Sequence, residues 1–113
     1  MKRMTKTLGS TLVPAAMVSL ACIMTFSQSA FAQSSGEATY KAKCQSCHGA
    51  TGTPNPGIAK LMGVKPASDP AMRALTLDQI EAVVKNGKGK MKPMAGLTDA
   101  QVKDVAAYFK TLK

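Results

Sequence analysis

Two cysteines and a histidine fall within five residues, Cys44-Gln45-Ser46-Cys47-His48, and no other run constrains the chain as strongly. Thiols at i and i+3 face the same way on a helix, so both can reach one object lying beside it. His48 follows at once and adds an imidazole at the same place. It is the only histidine in 113 residues, and the only other cysteine is Cys22, near the N-terminus. A zinc site needs four N or S ligands, or three and an open position. Here two thiols and one imidazole sit in one short run, with no acid in it to complete the set. An iron–sulfur cluster needs four Cys, or two Cys and two His. A thioredoxin-type pair expects a parallel βαβ setting, and no strand alternation is visible. The pattern that fits is the C-x-x-C-H signature of covalent haem attachment. Two thiols add across the haem vinyl groups, and the imidazole is placed under the iron. The expected cofactor is one covalent haem c, on Cys44 and Cys47, with His48 as an axial ligand.

The first 32 residues read as an address. Lys2, Arg3 and Lys6 precede an apolar stretch over residues 8–26, a polar break follows at Ser27-Gln28-Ser29, and Ala30-Phe31-Ala32 ends it. A basic start, an apolar middle and an A-x-A site make a secretory signal peptide, cleaved after Ala32. A retained anchor helix is disfavoured by Pro14 and several Ser and Thr. Lipidation of Cys22 is disfavoured because apolar sequence continues beyond it. The domain would then be residues 33–113, exported to the periplasm, and Cys22 would leave with the leader. Such a short domain buries a thin core and needs a staple, a metal or a cofactor.

Capping patterns divide the rest. Ser34-x-x-Glu37 is a capping box that opens a helix through about Lys43 or later, with Tyr40, Cys44 and Cys47 on one face of it. Residues 49–57, rich in Gly and Pro, are loop. A short helix follows near residues 56–62, and Asp69-Pro70 caps another through about Leu75. Thr76-Leu77-Asp78-Gln79 is a second capping box, stapled by Leu75 and Ile80, with Leu77, Ile80 and Val84 as the buried stripe. Asn86-Gly87 ends that helix, Gly87 taking a left-handed cap. Residues 87–97 are loop. Thr98-Asp99-Ala100-Gln101 is a third capping box, stapled by Leu97 and Val102, opening a helix to about Leu112 with Val102, Val105, Ala106 and Phe109 inward. The fold class is all-α, with about three main helices and some short ones around the cofactor.

With one histidine, bis-histidine ligation of the iron is excluded. Met, Lys, Tyr, an N-terminal amine or an open site stay as choices. The 87–97 loop carries Met91 and Met94, and a thioether suits an electron-transfer haem. Met62 and Met72 read as packing residues. Methionines in a loop this rich in Lys and Gly make poor core residues, so one of the pair is expected on the iron.

Residues 36–113 resemble a small class I c-type cytochrome. The opening Gly36-x-x-x-Tyr40-x-x-x-Cys44-x-x-Cys47-His48-Gly49 and the ending Val105-Ala106-Ala107-Tyr108-Phe109 carry the likeness. The resemblance implies that the first and last helices cross, with Gly36 at the crossing and Tyr40 and Tyr108 beside it. It implies Met91 as the second axial ligand, seven residues before Thr98, with Met94 as the alternative because Pro93 directly precedes it. It also implies a loop proline whose carbonyl orients the proximal imidazole. Pro56 matches best, with Pro54 or Asn55 as alternatives.

The formal charge is +9, falling to +6 without Lys2, Arg3 and Lys6. Lys85, Lys88, Lys90 and Lys92 crowd the ligand loop. They read either as a solvated face or as a docking patch for redox proteins with an acidic surface. An anionic membrane surface is a further possible attractor. Nucleic acid is not an expected partner, since no aromatic platform accompanies the lysines. The expected function is a monomeric, exported one-electron carrier and not an enzyme, because six-coordinate iron leaves no place for substrate. The rivals are a five-coordinate haem sensor or small haem enzyme, and an electron-transfer subunit held permanently by a dehydrogenase.

Overall fold

The computed structural model describes residues 18–113, with side chains described from residue 31 onward. The basic opening of the expected signal peptide and the first half of its apolar stretch lie outside the described residues. Six helices follow in order: α1 (Val18–Lys43), α2 (Gln45–His48), α3 (Pro56–Met62), α4 (Pro70–Arg73), α5 (Leu77–Asn86) and α6 (Asp99–Phe109). Among the described residues there is no strand, only an isolated antiparallel bridge between Lys88 and Met91. No described helix is long and apolar enough to cross a membrane. The chain is all-α, as its periodicity indicates.

The caps expected at Asp69, Thr76 and Thr98 are present. Asp69 accepts from the Ala71 amide at 2.8 Å and opens α4. Thr76 with Gln79, and Thr98 with Gln101, form complete capping boxes on α5 and α6. Both staples close, since Leu75 with Ile80 and Leu97 with Val102 join one apolar cluster. That cluster is Ile80, Val84, Val102 and Ala106, where α5 meets α6. Each of the larger buried side chains contributes about 1.5–3 kcal/mol by leaving water.

Four expectations need correction. Helix α1 does not start at Ser34, because it is already under way at Val18. A cap is needed only where amides lack partners upstream, so Ser34 Oγ donates to the Phe31 carbonyl at 3.0 Å instead, and Glu37 pairs with Lys41 at 2.6 Å. Leu77 stands outside the buried stripe at 46% exposure, and Leu75, just before the cap, joins the cluster. Gly87 has the expected positive φ of 75°, but its ψ of 169° sends the chain off extended. Helix α6 stops at Phe109, after which Thr111 and Leu112 bond back three residues, to Tyr108 and Phe109, in tighter turns.

Helices α1 and α6 cross at Gly36. A Cβ there would overlap the Asp104 carbonyl oxygen and lie 2.9 Å from Tyr108 Cβ. Only a residue without a side chain lets the two backbones come so close. Tyr40, one turn on, is 1% exposed and its ring lies 5.4 Å from that of Tyr108. The crossing expected for Gly36, Tyr40 and Tyr108 is present.

Candidate functional site

The cysteine–histidine run does not continue α1. The helix breaks at Cys44, whose φ of −117° falls outside helical values, and α2 restarts for a single turn. The Cys44 carbonyl accepts from the amides of Cys47 (3.2 Å) and His48 (3.0 Å), so the turn itself brings the two thiols to one side. Tyr40 holds this turn from α1 by donating its hydroxyl to the Gly49 carbonyl at 2.7 Å. Burial, with Cys44 and Tyr108 nearby, pushes the Tyr40 phenol up to about 12.

Cys44, Cys47 and His48 line one cavity of about 550 Å³, within the range of pockets that enclose a large organic ligand. The rest of its lining is mostly apolar, with Val84 and Val105 among it. Burial, then the neighbouring Cys47, raises the pKa of the Cys44 thiol. Burial lowers the pKa of His48, which favours the neutral imidazole, the form that binds a metal. Phe109 meets the His48 ring edge-on, with centroids 5.8 Å apart.

His48 Nδ1 is buried and has no hydrogen-bond partner. The bond expected from the Pro56 carbonyl is therefore not formed. Pro56 is the first residue of α3, where a carbonyl belongs to the helix ladder, and Asn55 O already accepts from the Ala59 amide at 2.9 Å. Asn55 also caps α3 through its side chain, at 3.0 Å from the Ile58 amide.

The two loop methionines part company. Lys88 and Met91 exchange backbone bonds of 2.9 and 3.0 Å across a turn with Gly89 at φ 57°, and Met91 lines the cavity. Met94 is not among the lining residues. Its amide donates to Val84 O at 2.9 Å and its side chain packs on the α5–α6 cluster. Met91 touches that cluster too, so the expectation that these methionines avoid the core is corrected. Met62 and Met72 also reach the cavity, from α3 and α4.

The lysine group is reshaped. Lys88 and Lys90 stand on the cavity rim, joined by Lys65, which no local pattern marks. Lys92 is exposed, while Lys85 is engaged with Asp99 at 2.8 Å. The other residue sequence reasoning missed is Phe109 as the neighbour of His48. Its place in the helical stripe showed burial without showing against what.

Among the described residues no three His, Cys, Asp or Glu side chains converge as a metal cage. The arrangement is two thiols and one imidazole on the wall of an apolar cavity. Residues 31–109 match the family model described as cytochrome c oxidase, cbb3-type, subunit III. The chain belongs to this family of class I c-type cytochromes. A curated relative, cytochrome c6 of Cyanidioschyzon merolae (strain NIES-3377 / 10D), is 33% identical over 76 residues, 65% of this chain and 67% of the relative. Membership implies covalently bound haem c. The cytochrome's own residues fit that group: paired thiols, a buried imidazole nitrogen without a partner, and an apolar cavity of suitable size.

Proposed function

We propose that this cytochrome is an exported one-electron carrier, with Cys44 and Cys47 holding the porphyrin through thioethers and His48 and Met91 as axial ligands. The observation that carries the reading is that His48 and Met91 line the same cavity while Met94 does not. When bound, haem c supplies an iron that takes up and releases single electrons, and a thioether ligand raises its potential. Met91 is suited to the iron because its turn is fixed by two backbone bonds and its flank by the core. Were His48 and Met91 both to hold the iron, no position would be left for substrate, and the protein would be a carrier and not an enzyme. The carbonyls of Asn55 and Pro56 serve α3, so the buried Pro54 is the better candidate to accept from the imidazole N–H.

The rim lysines Lys65, Lys88 and Lys90 favour redox proteins with an acidic face, met as a monomer. Export with cleavage after Ala32 suits the fold, because Gly36 and Tyr40 supply contacts to α6 and both lie beyond that point. Cleavage would also free Ser34 and Glu37 to act as the capping box their spacing suggests.

The test is the visible spectrum of the ferric protein beside Met91→Ala and Met94→Ala. The weak far-red sulfur-to-iron band should be present in the wild type, absent in Met91→Ala and kept in Met94→Ala. A high-spin wild type that binds carbon monoxide readily when reduced would replace the carrier with a sensor or enzyme.

A further inference from the structure

Residues 56–75 carry α3 and α4 and give the cavity Met62, Met72 and Leu75. The main helix pairings are α1 with α6, α5 with α6 and α1 with α2, and neither α3 nor α4 takes part in them. Apart from Leu75, which joins the α5–α6 cluster, and the buried Ala67, this wall is tied back by polar links. The Ala67 amide donates to Gly52 O at 2.8 Å, and Lys90 Nζ to Leu61 O at 2.5 Å. The third link is double: Lys110 Nζ donates to Arg73 O and to Leu75 O, each at 2.7 Å.

Lys110 caps the end of α6, directly after Phe109, whose ring meets His48. The two carbonyls it grips lie at the last residue of α4 and two residues beyond it, where a helix leaves acceptors unpaired. Met72 precedes Arg73, and Leu75 is itself one of the two. One ammonium therefore joins the helix beside the imidazole to the residues that form another wall of the same cavity.

We propose that Lys110 is a positioning residue: its grip on Arg73 O and Leu75 O sets how Met72 and Leu75 stand against the cofactor and keeps that wall shut. Its side chain is exposed, with the ammonium donating to these two carbonyls. The inference rests on the haem-carrier reading, and its test separates the two.

The experiment compares the full-chain holoprotein with Lys110→Met and Lys110→Arg by hydrogen exchange and by imidazole titration of the ferric iron. The amides of residues 71–75 are all bonded, at 2.8–3.3 Å, so their opening is measurable. Lys110→Met should speed their exchange about tenfold, as loss of charge-assisted bonds implies. Amides of α5 should keep their rates. Imidazole should bind the iron several-fold more tightly, and Lys110→Arg should restore both readouts. Unchanged exchange at 71–75, or equal acceleration throughout the molecule, overturns the proposal. If Lys110→Met fails to load haem, Lys110→Gln carries the same test. A wild-type chain that takes up no covalent haem defeats the carrier reading. Normal loading with an indifferent Lys110→Met defeats only this inference.

Discussion

The crossing of α1 with α6 and the wall over residues 56–75 are held in opposite ways. At the crossing, backbone meets backbone at Gly36 and Tyr40 is sealed under Tyr108, so protein packs on protein. In the wall, short helices face a cavity, and lysines fasten their carbonyl ends from far along the chain. The first region is complete in itself. The second is built around something that the chain does not encode as a side chain. A domain this small can stand such a division only because a covalent group fills what its core lacks.

The strongest way to break the comparison is to remove that group. Cys44→Ala with Cys47→Ala should abolish a cooperative thermal transition. A sharp calorimetric peak in that variant would show that the framework folds unaided. Next in size is Gly36→Val in the haem-loaded protein. The clash is with the Asp104 backbone, so the loss should exceed about 3 kcal/mol, above the usual range for overpacking, read from denaturant unfolding. Met94→Ala should cost about 2 kcal/mol, as for loss of a partly buried thioether chain, with no change in reduction potential. Met91→Ala should lower the potential sharply, and a matching drop in both variants would mean that the loop acts as one unit.

A finer test uses pH. Tyr40 ionises near 12 when folded and at the ordinary 10 when unfolded. Its contribution is whole below pH 10 and is lost as pH rises toward 12. Tyrosinate absorbance should show one of the two tyrosines titrating about two pH units late. The smallest effect belongs to Lys85 and Asp99. Lys85 holds the Asp99 carboxyl below its usual range, so the pair's support is present above pH 3.8 and fades below it. Both groups are exposed, and Lys85→Gln should leave the melting temperature within error at pH 7.

What could be read directly from the chain was local. The capping boxes at Thr76 and Thr98, the staples at Leu75 and Leu97, and the Cys44–His48 run each act over a few residues, so spacing alone displays them. Met91 against Met94 is different. Both have suitable chemistry, and they differ only in the fold, where Met91 lines the cavity and the Val84 carbonyl claims the Met94 amide. Leu77 keeps helical spacing yet stays exposed, because burial depends on what stands opposite. Lys65 comes to the rim from another loop. The end of α1 near Lys43 was legible, but the restart at Gln45 was not, because the Tyr40, Cys44, Cys47 spacing suits one helix as well as two. Pro56 makes no bond to the imidazole, and its place as the first residue of α3 puts its carbonyl in the helix ladder.

The Lys85–Asp99 contact joins the last turn of α5 to the first residue of α6, and the Met94 amide bonds back to α5 at Val84. Between those ties the 87–97 loop is a closed cassette. Lengthening a loop whose ends are already fixed adds little closure entropy, about 0.6 kcal/mol per doubling. On the proposed ligation, segments of other lengths with other ligand residues exchanged there would try new potentials, with the packing of Met91 and Met94 on the α5–α6 cluster as the constraint.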